Sequence, residues 1–235
     1  MDWLARRTTT PALLVMVMLA WFGVVLLCAV VCGEILRHAE RPDGSTAFDS
    51  SITSWMVGHR SHAFTTLARS LSTVGSQAVL LPVTGVVAAV LIARRRFVLA
   101  GLLIVTWGGA ILLYTLTKSF VERPRPPSDI WLTNVGNTTS FPSGHATQSL
   151  ATFGALALIG AALMPRTTWP GRALALVLAA GVGWSRVYLG VHWTTDVLAG
   201  WLVAVAWIAI VLWLAGIAKL IARRWRERRI DQSPR

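Results

Sequence analysis

Runs of about twenty apolar residues recur along this chain, and a helix needs that length to cross the hydrocarbon core of a bilayer. Inside that core no water is available to backbone N–H and C=O groups, so each run must close its own hydrogen bonds as a helix. The runs lie at about residues 11–33, 74–93, 97–117, 145–164, 172–189 and 194–218. A soluble domain of 235 residues would not tolerate 54% hydrophobic and only 14% charged residues. The expected fold is all-α: a single polytopic membrane domain over residues 1–235, with six transmembrane helices and a basic cytoplasmic tail at 219–235.

Arg6 and Arg7 ahead of the first run could be taken for the start of a signal peptide. The run exceeds the roughly 7–15 residues of a signal hydrophobic region and no Ala-x-Ala pattern follows, so it reads as the first span. Residues 34–73 are polar but periodic. Phe48, Ile52, Trp55 and Met56 fall at helical spacing, as do Phe64, Leu67, Ala68 and Leu71, with N-caps available from Asp49 to Ser51 and at Ser61. Two short amphipathic helices on the membrane surface are expected there, between the first and second spans. Cys28 and Cys32 stand one turn apart with no His or further Cys nearby, and read as small buried hydrophobes.

The net charge of +12 comes from 22 Lys and Arg against 10 Asp and Glu. Such a balance could suggest nucleic acid, but the basic residues are concentrated between apolar runs and in the tail, which points to anionic lipid and topology instead. A cytoplasmic N-terminus puts Arg6, Arg7, Arg94, Arg95, Arg96, Arg166, Arg172 and the tail on one side. The opposite, outer face receives residues 34–73, 118–144 and 190–193. The expected location is the cell (inner) membrane, multi-pass, with both termini cytoplasmic. Lys118, Arg123, Arg125 and Arg186 fall outside, against the positive-inside rule, and so ask for a functional reason.

Three segments on that outer face carry chemistry. His192 and Asp196 are four residues apart, and a helix beginning just there would place them on one face. A neutral imidazole could then attack through one nitrogen while the carboxylate fixed the tautomer at the other. A membrane-interface cluster would use the same residues otherwise, with Arg186 snorkelling to headgroups and His192 satisfying a carbonyl. Phe141-Pro142-Ser143-Gly144-His145 precedes a helix, whose N-terminus can hold an anion with Gly144 allowing close approach, while Ser143 would equally serve as an ordinary N-cap. In residues 118–126, Lys118 offers a compact charge and Arg123 and Arg125 planar forks matched to phosphate oxygens, though basic loops at a membrane edge also simply touch lipid phosphates.

Together these segments resemble the type-2 phosphatidic acid phosphatase superfamily. The residues that carry the resemblance are Lys118 with Arg125-Pro126, then Pro142-Ser143-Gly144-His145, then Ser185-Arg186 with His192 and Asp196. The resemblance implies a phosphohistidine at His192 with Asp196 orienting it, and His145 as general acid and then base. It implies phosphate binding by Lys118, Arg125, Ser143, Gly144 and Arg186 and no metal or other cofactor; the chain has no carboxylate cluster of the kind that holds magnesium. Arg123, between motif positions, reads as a headgroup contact.

The function this implies is hydrolysis of a lipid phosphate or diphosphate at the outer membrane face. Undecaprenyl (polyprenyl) diphosphate is the leading substrate and phosphatidylglycerol phosphate or phosphatidic acid the alternative. A lipid-binding or transport protein that holds a phosphate headgroup would need the cations but not the histidine pair. A vanadate-dependent oxidase of the kind that shares this site would be soluble, against the apolar runs here.

Overall fold

The computed structural model describes residues 44–136, 138–164 and 168–231, together with residues 26–35 and the single positions 19, 23 and 37. Eight α-helices account for nearly all of this: α1 (Leu26–Ile35), α2 (Ala47–Gly58), α3 (His62–Val74), α4 (Gln77–Ala93), α5 (Phe97–Phe120), α6 (Gly144–Leu163), α7 (Thr168–Tyr188) and α8 (Thr194–Asp231). Among the described residues there is no strand, only a single antiparallel bridge between Pro124 and Thr139. The expected first span lies mostly outside the described residues; α1 is the part that is seen and carries both cysteines, which are free.

Three of these helices are long and apolar enough to cross a membrane alone: Phe97–Phe120, Gly144–Leu163 and the Thr194–Ala218 part of α8. A fourth candidate is α3 with α4, bent by 45° at the break between them. Helix α3 is capped by Ser61 as the sequence suggested; it leads through Gly75 into α4 and packs along the end of α7. Phe64 meets Trp184 edge-on, and Tyr188 Oη accepts a hydrogen bond from the Ser61 N–H at 3.0 Å. The α2 cap differs from the expected one. Thr46 is the N-cap and Asp49 the third helical residue, each side chain bonding the other's backbone in a capping box.

The last helix extends beyond the expected span. α8 runs past 218 to Asp231, because Lys, Arg, Glu and Leu are good helix formers and no Gly or Pro interrupts them after Gly216.

α6 is the centre of the bundle, packing against α4, α5, α7 and α8. Membrane helices gain little from burying apolar groups away from lipid, so close approach through small residues drives their association. Ala146, Ala151 and Ala155 on α6, Ala110 on α5 and Ala204 on α8 are fully buried. Large apolar side chains such as Val86, Val98, Leu112 and Val177 face outward. The C-termini of α5 and α7 and the N-termini of α6 and α8 meet at one end of the bundle, with the α3–α4 elbow beside them.

Gly75 makes that elbow. A Cβ there would stand 2.3 Å from Cγ1 of Val182, a stiff side chain with no exposure. Gly75→Ala should therefore destabilise the protein by about 1–3 kcal/mol, read as a lowered melting temperature in detergent. An unchanged melting temperature would show that the elbow opens freely.

Candidate active site

At this end of the bundle a cavity of about 230 Å³ is lined by Lys118, Arg125, Gly144, His145, Arg186 and His192, with Gln77, Tyr114, Asn134, Val135, Gly136 and Gln148 completing the wall. Six of the eight residues expected to do chemistry thus share one cavity. Ser143 and Asp196 stand behind it, both fully buried. Among the described residues no carboxylate lines the wall, so three cations face one space that an anion would neutralise.

Each side chain is held by a local device. Lys118, in the last turn of α5, donates to the Thr139 carbonyl at 2.9 Å. The loop after it is pinched shut: Ser140 N–H donates to the Arg123 carbonyl at 2.8 Å and the Ser140 hydroxyl to the Pro124 carbonyl at 2.9 Å. That pinch fixes the directions in which Arg123 and Arg125 project. At the start of α6, Ser143 is the N-cap and its hydroxyl accepts from Ala146 N–H. Its own N–H donates to the Asp196 carbonyl at 3.0 Å, tying the N-termini of α6 and α8 together. Gly200 permits this, since a Cβ there would lie 2.8 Å from the Ser143 carbonyl oxygen.

Arg186 ends α7 with 4% exposure, donates to the Ser72 hydroxyl at 2.5 Å and leaves Nε buried without a partner among the described residues. The chain then turns at Gly190 (φ 75°), where a Cβ would be 2.6 Å from the Ile130 carbonyl oxygen. The turn delivers His192 to the cavity.

His192 precedes α8, which starts at Thr194, so the helical relation expected between His192 and Asp196 does not hold. A turn brings them together instead, with Nδ1 of His192 3.5 Å from Oδ2 of Asp196. That is ion-pair distance without hydrogen-bond geometry, and Nδ1 has no other partner among the described residues. The opposite nitrogen settles the tautomer. Arg125 Nη1 lies 3.1 Å from His192 Nε2 and also donates to the Val191 carbonyl. A guanidinium has no acceptor, so Nε2 offers its lone pair and the proton sits on Nδ1, towards Asp196. Burial, with the charges of Arg125, Arg186 and Lys118, holds the His192 imidazole well below its usual 6.5 and therefore neutral.

Arg123 corrects the sequence expectation. It does not reach a headgroup; it is 5% exposed and buried between two carboxylates. One nitrogen meets Asp49 at 2.7 Å, another meets Asp196 at 2.6 Å and Thr195 Oγ1 at 2.8 Å, and Nε donates to the Gly44 carbonyl at 2.8 Å. Only a planar fork of donors can serve so many acceptors at once. Asp49 also accepts from Thr195 N–H at 2.9 Å, which locks α2 onto the start of α8. Burial pushes the Asp49 carboxyl up, but the Thr195 bonds, the Arg123 charge and the Thr46 N–H outweigh it and hold it below the usual carboxylate range. Asp49 was the residue sequence reasoning placed least well. Its signal was the Thr46-x-x-Asp49 capping box, which reads as helix capping alone. Tyr114 and Gln148 carried no signal at all.

A sequence model of the PAP2 superfamily matches residues 98–219. An undecaprenyl-diphosphatase from Sulfolobus acidocaldarius is 35% identical over 59% of this chain and 64% of its own length. Phosphatidylglycerophosphatase B from Bacillus subtilis is 29% identical over 71% of this chain and 82% of its own. Decaprenylphosphoryl-5-phosphoribose phosphatase from Mycobacterium tuberculosis is 33% identical over 69% and 86%. Among solved structures, a transmembrane PAP2-type phosphatidylglycerolphosphate phosphatase from Bacillus subtilis superposes with a TM-score of 0.72 at 25% identity, covering 86% of this chain and 96% of the other.

Arg123→Met leaves Asp49 and Asp196 buried without their cation, and should cost about 3–5 kcal/mol, measured by denaturation of the purified protein at neutral pH. Asp49 adds a pH dependence. A carboxylate depressed in the fold contributes stability above its unfolded value, near 3.8, and loses it as pH falls through the lower folded value. Asp49→Asn should remove that acid-sensitive part. Loss of less than about 1 kcal/mol in Arg123→Met would show that the two carboxylates do not depend on it.

Proposed function

This chain is a lipid phosphate hydrolase of the PAP2 superfamily, and on that footing we propose that it hydrolyses a polyprenyl diphosphate at the outer membrane face through a phosphohistidine on His192. The observation that carries the mechanism is the neutral His192, its Nε2 lone pair turned towards Arg125 in a cavity of cations.

In the first half-reaction Nε2 of His192 attacks the terminal phosphorus, and the bond to the leaving oxygen breaks as His145 gives that oxygen a proton. Lys118, Arg125 and Arg186, with the Gly144 end of α6, hold the non-bridging oxygens and oppose the charge that builds on them. Arg125 shifts its donor from Nε2 to the phosphate. Ser143 acts one step back, as the cap that keeps the α6 N-terminus in place. Asp196 meets the cation that develops on the imidazole, its 3.5 Å gap to Nδ1 closing as charge appears. Water then attacks the phosphohistidine, His145 takes its proton, and His192 returns neutral.

Six spans with cytoplasmic termini fit this chemistry, since lipid phosphates made inside and used outside would meet the site at headgroup depth. The polyprenyl substrate is supported by the relative from Sulfolobus acidocaldarius. Phosphatidylglycerol phosphate is the second reading, favoured by the Bacillus subtilis relative and its fold likeness.

The test is phosphate release by purified protein in detergent with EDTA present, from undecaprenyl diphosphate, phosphatidylglycerol phosphate and phosphatidic acid in parallel. Release should survive EDTA, fall by several orders of magnitude in His192→Ala, and be fastest with the diphosphate. Release undiminished in His192→Ala would sink the mechanism, and faster release from the glycerolipid would select the second substrate. The pH profile gives a separate check. Because the imidazole is held well below 6.5, it stays nucleophilic as pH falls through that value, and the acid limb of kcat/KM should lie below pH 6.5.

A further inference from the structure

Gln148 lies on α6 three residues after His145, on the same helix face and on the wall of the same cavity. It is 2% exposed. Its Nε2 donates to the Gly75 carbonyl at the α3–α4 elbow, at 2.9 Å. That bond decides which end of the amide is which, because the reverse orientation would set two carbonyl oxygens against each other. Oε1 is left buried, without a partner among the described residues.

An acceptor buried without a donor costs free energy, so its presence in a working site asks what donor arrives there. A phosphoryl dianion does not qualify, since its oxygens only accept. Lys118, Arg125 and Arg186 can donate, but the dianion claims them. The one reactant that brings two O–H donors is water.

We propose that Gln148 holds the hydrolytic water: Oε1 accepts one of its hydrogens while His145 takes the other. This rests on the phosphohistidine reading above. In that half-reaction the water oxygen bonds to phosphorus as the bond from phosphorus to Nε2 of His192 breaks, and the electron pair of that bond returns to Nε2. One water proton passes to His145. The other, directed by Gln148 on approach, stays on the inorganic phosphate released.

An alcohol has a single O–H, which goes to His145, and gains nothing from Gln148. The two nucleophiles therefore separate the role of Gln148 from a general loss of fold. The full chain in detergent, given undecaprenyl diphosphate or phosphatidylglycerol phosphate labelled in the terminal phosphate, is assayed in increasing methanol for methyl phosphate and inorganic phosphate. The ratio is read within each variant's own turnover, so weaker packing or slower phosphorylation lowers both products alike. In Gln148→Leu and Gln148→Met the ratio of methyl phosphate to inorganic phosphate should rise roughly three- to tenfold over wild type, the worth of one neutral hydrogen bond. A ratio unchanged in both variants overturns the assignment of Gln148 and leaves the phosphohistidine standing. Wild-type protein that turns over but carries no acid-labile phosphoryl label when quenched in alkali removes the covalent intermediate, and both proposals fall with it.

Discussion

Arg123 is the interaction on which the cavity end of this molecule depends. A single guanidinium joins Asp49 of α2 to Asp196 of α8 and donates through Nε to the Gly44 carbonyl just before α2. Both carboxylates are fully buried, and without a cation between them they would repel each other in a medium that screens little. Because the loop bearing Arg123 also bears Arg125, the same pinch that seats the structural cation aims the one that touches His192. Packing of the surface helix and geometry of the candidate nucleophile are thus one problem with one solution.

The cavity lies where helices end, and the physics of the bilayer explains why. Charges within a span are expensive, whereas helix termini already carry unpaired backbone groups and sit near headgroup depth. α5 and α7 deliver Lys118 and Arg186 from their last turns, and α6 delivers Gly144 and His145 from its first. The first turn of α8 supplies the carboxylate behind His192. Small residues deeper in the bundle, such as Gly109 against Trp207 and Gly183 against Trp201, let the helices come close enough for those ends to converge.

Much of this could be read from residue order. The apolar runs at 97–117, 145–164 and 194–218 correspond to α5, α6 and the first part of α8 because length and hydropathy are properties of one segment. Lys118, Arg125, His145, Arg186 and His192, which the family resemblance implied belong to one site, line one cavity. What escaped depends on pairs distant in sequence. Asp49 and Arg123 are 74 residues apart, so Asp49 read only as a candidate helix cap and Arg123 only as a headgroup contact. Gln148 is ordinary in sequence; its amide acquires meaning only because Gly75, 73 residues away, takes the donor end. The His192–Asp196 spacing suggested a helical face, but the chain forms a turn there and only then begins α8.

The arrangement of charge follows a consistent logic. Lys118, Arg125 and Arg186 face a common space with no carboxylate on its wall among the described residues, so they attract an anion more strongly than any one of them would alone. A free carboxylate nearby would fill that space and compete with a ligand. Asp196, directly behind His192, stands near enough to do so. Arg123 and the Trp193 N–H occupy its two oxygens, at 2.6 and 2.9 Å, which keeps it behind His192 and away from the cations of the cavity. Arg123 thereby does two things with one charge: it makes a buried carboxylate tolerable, and it preserves the positive character of the cavity in front of it.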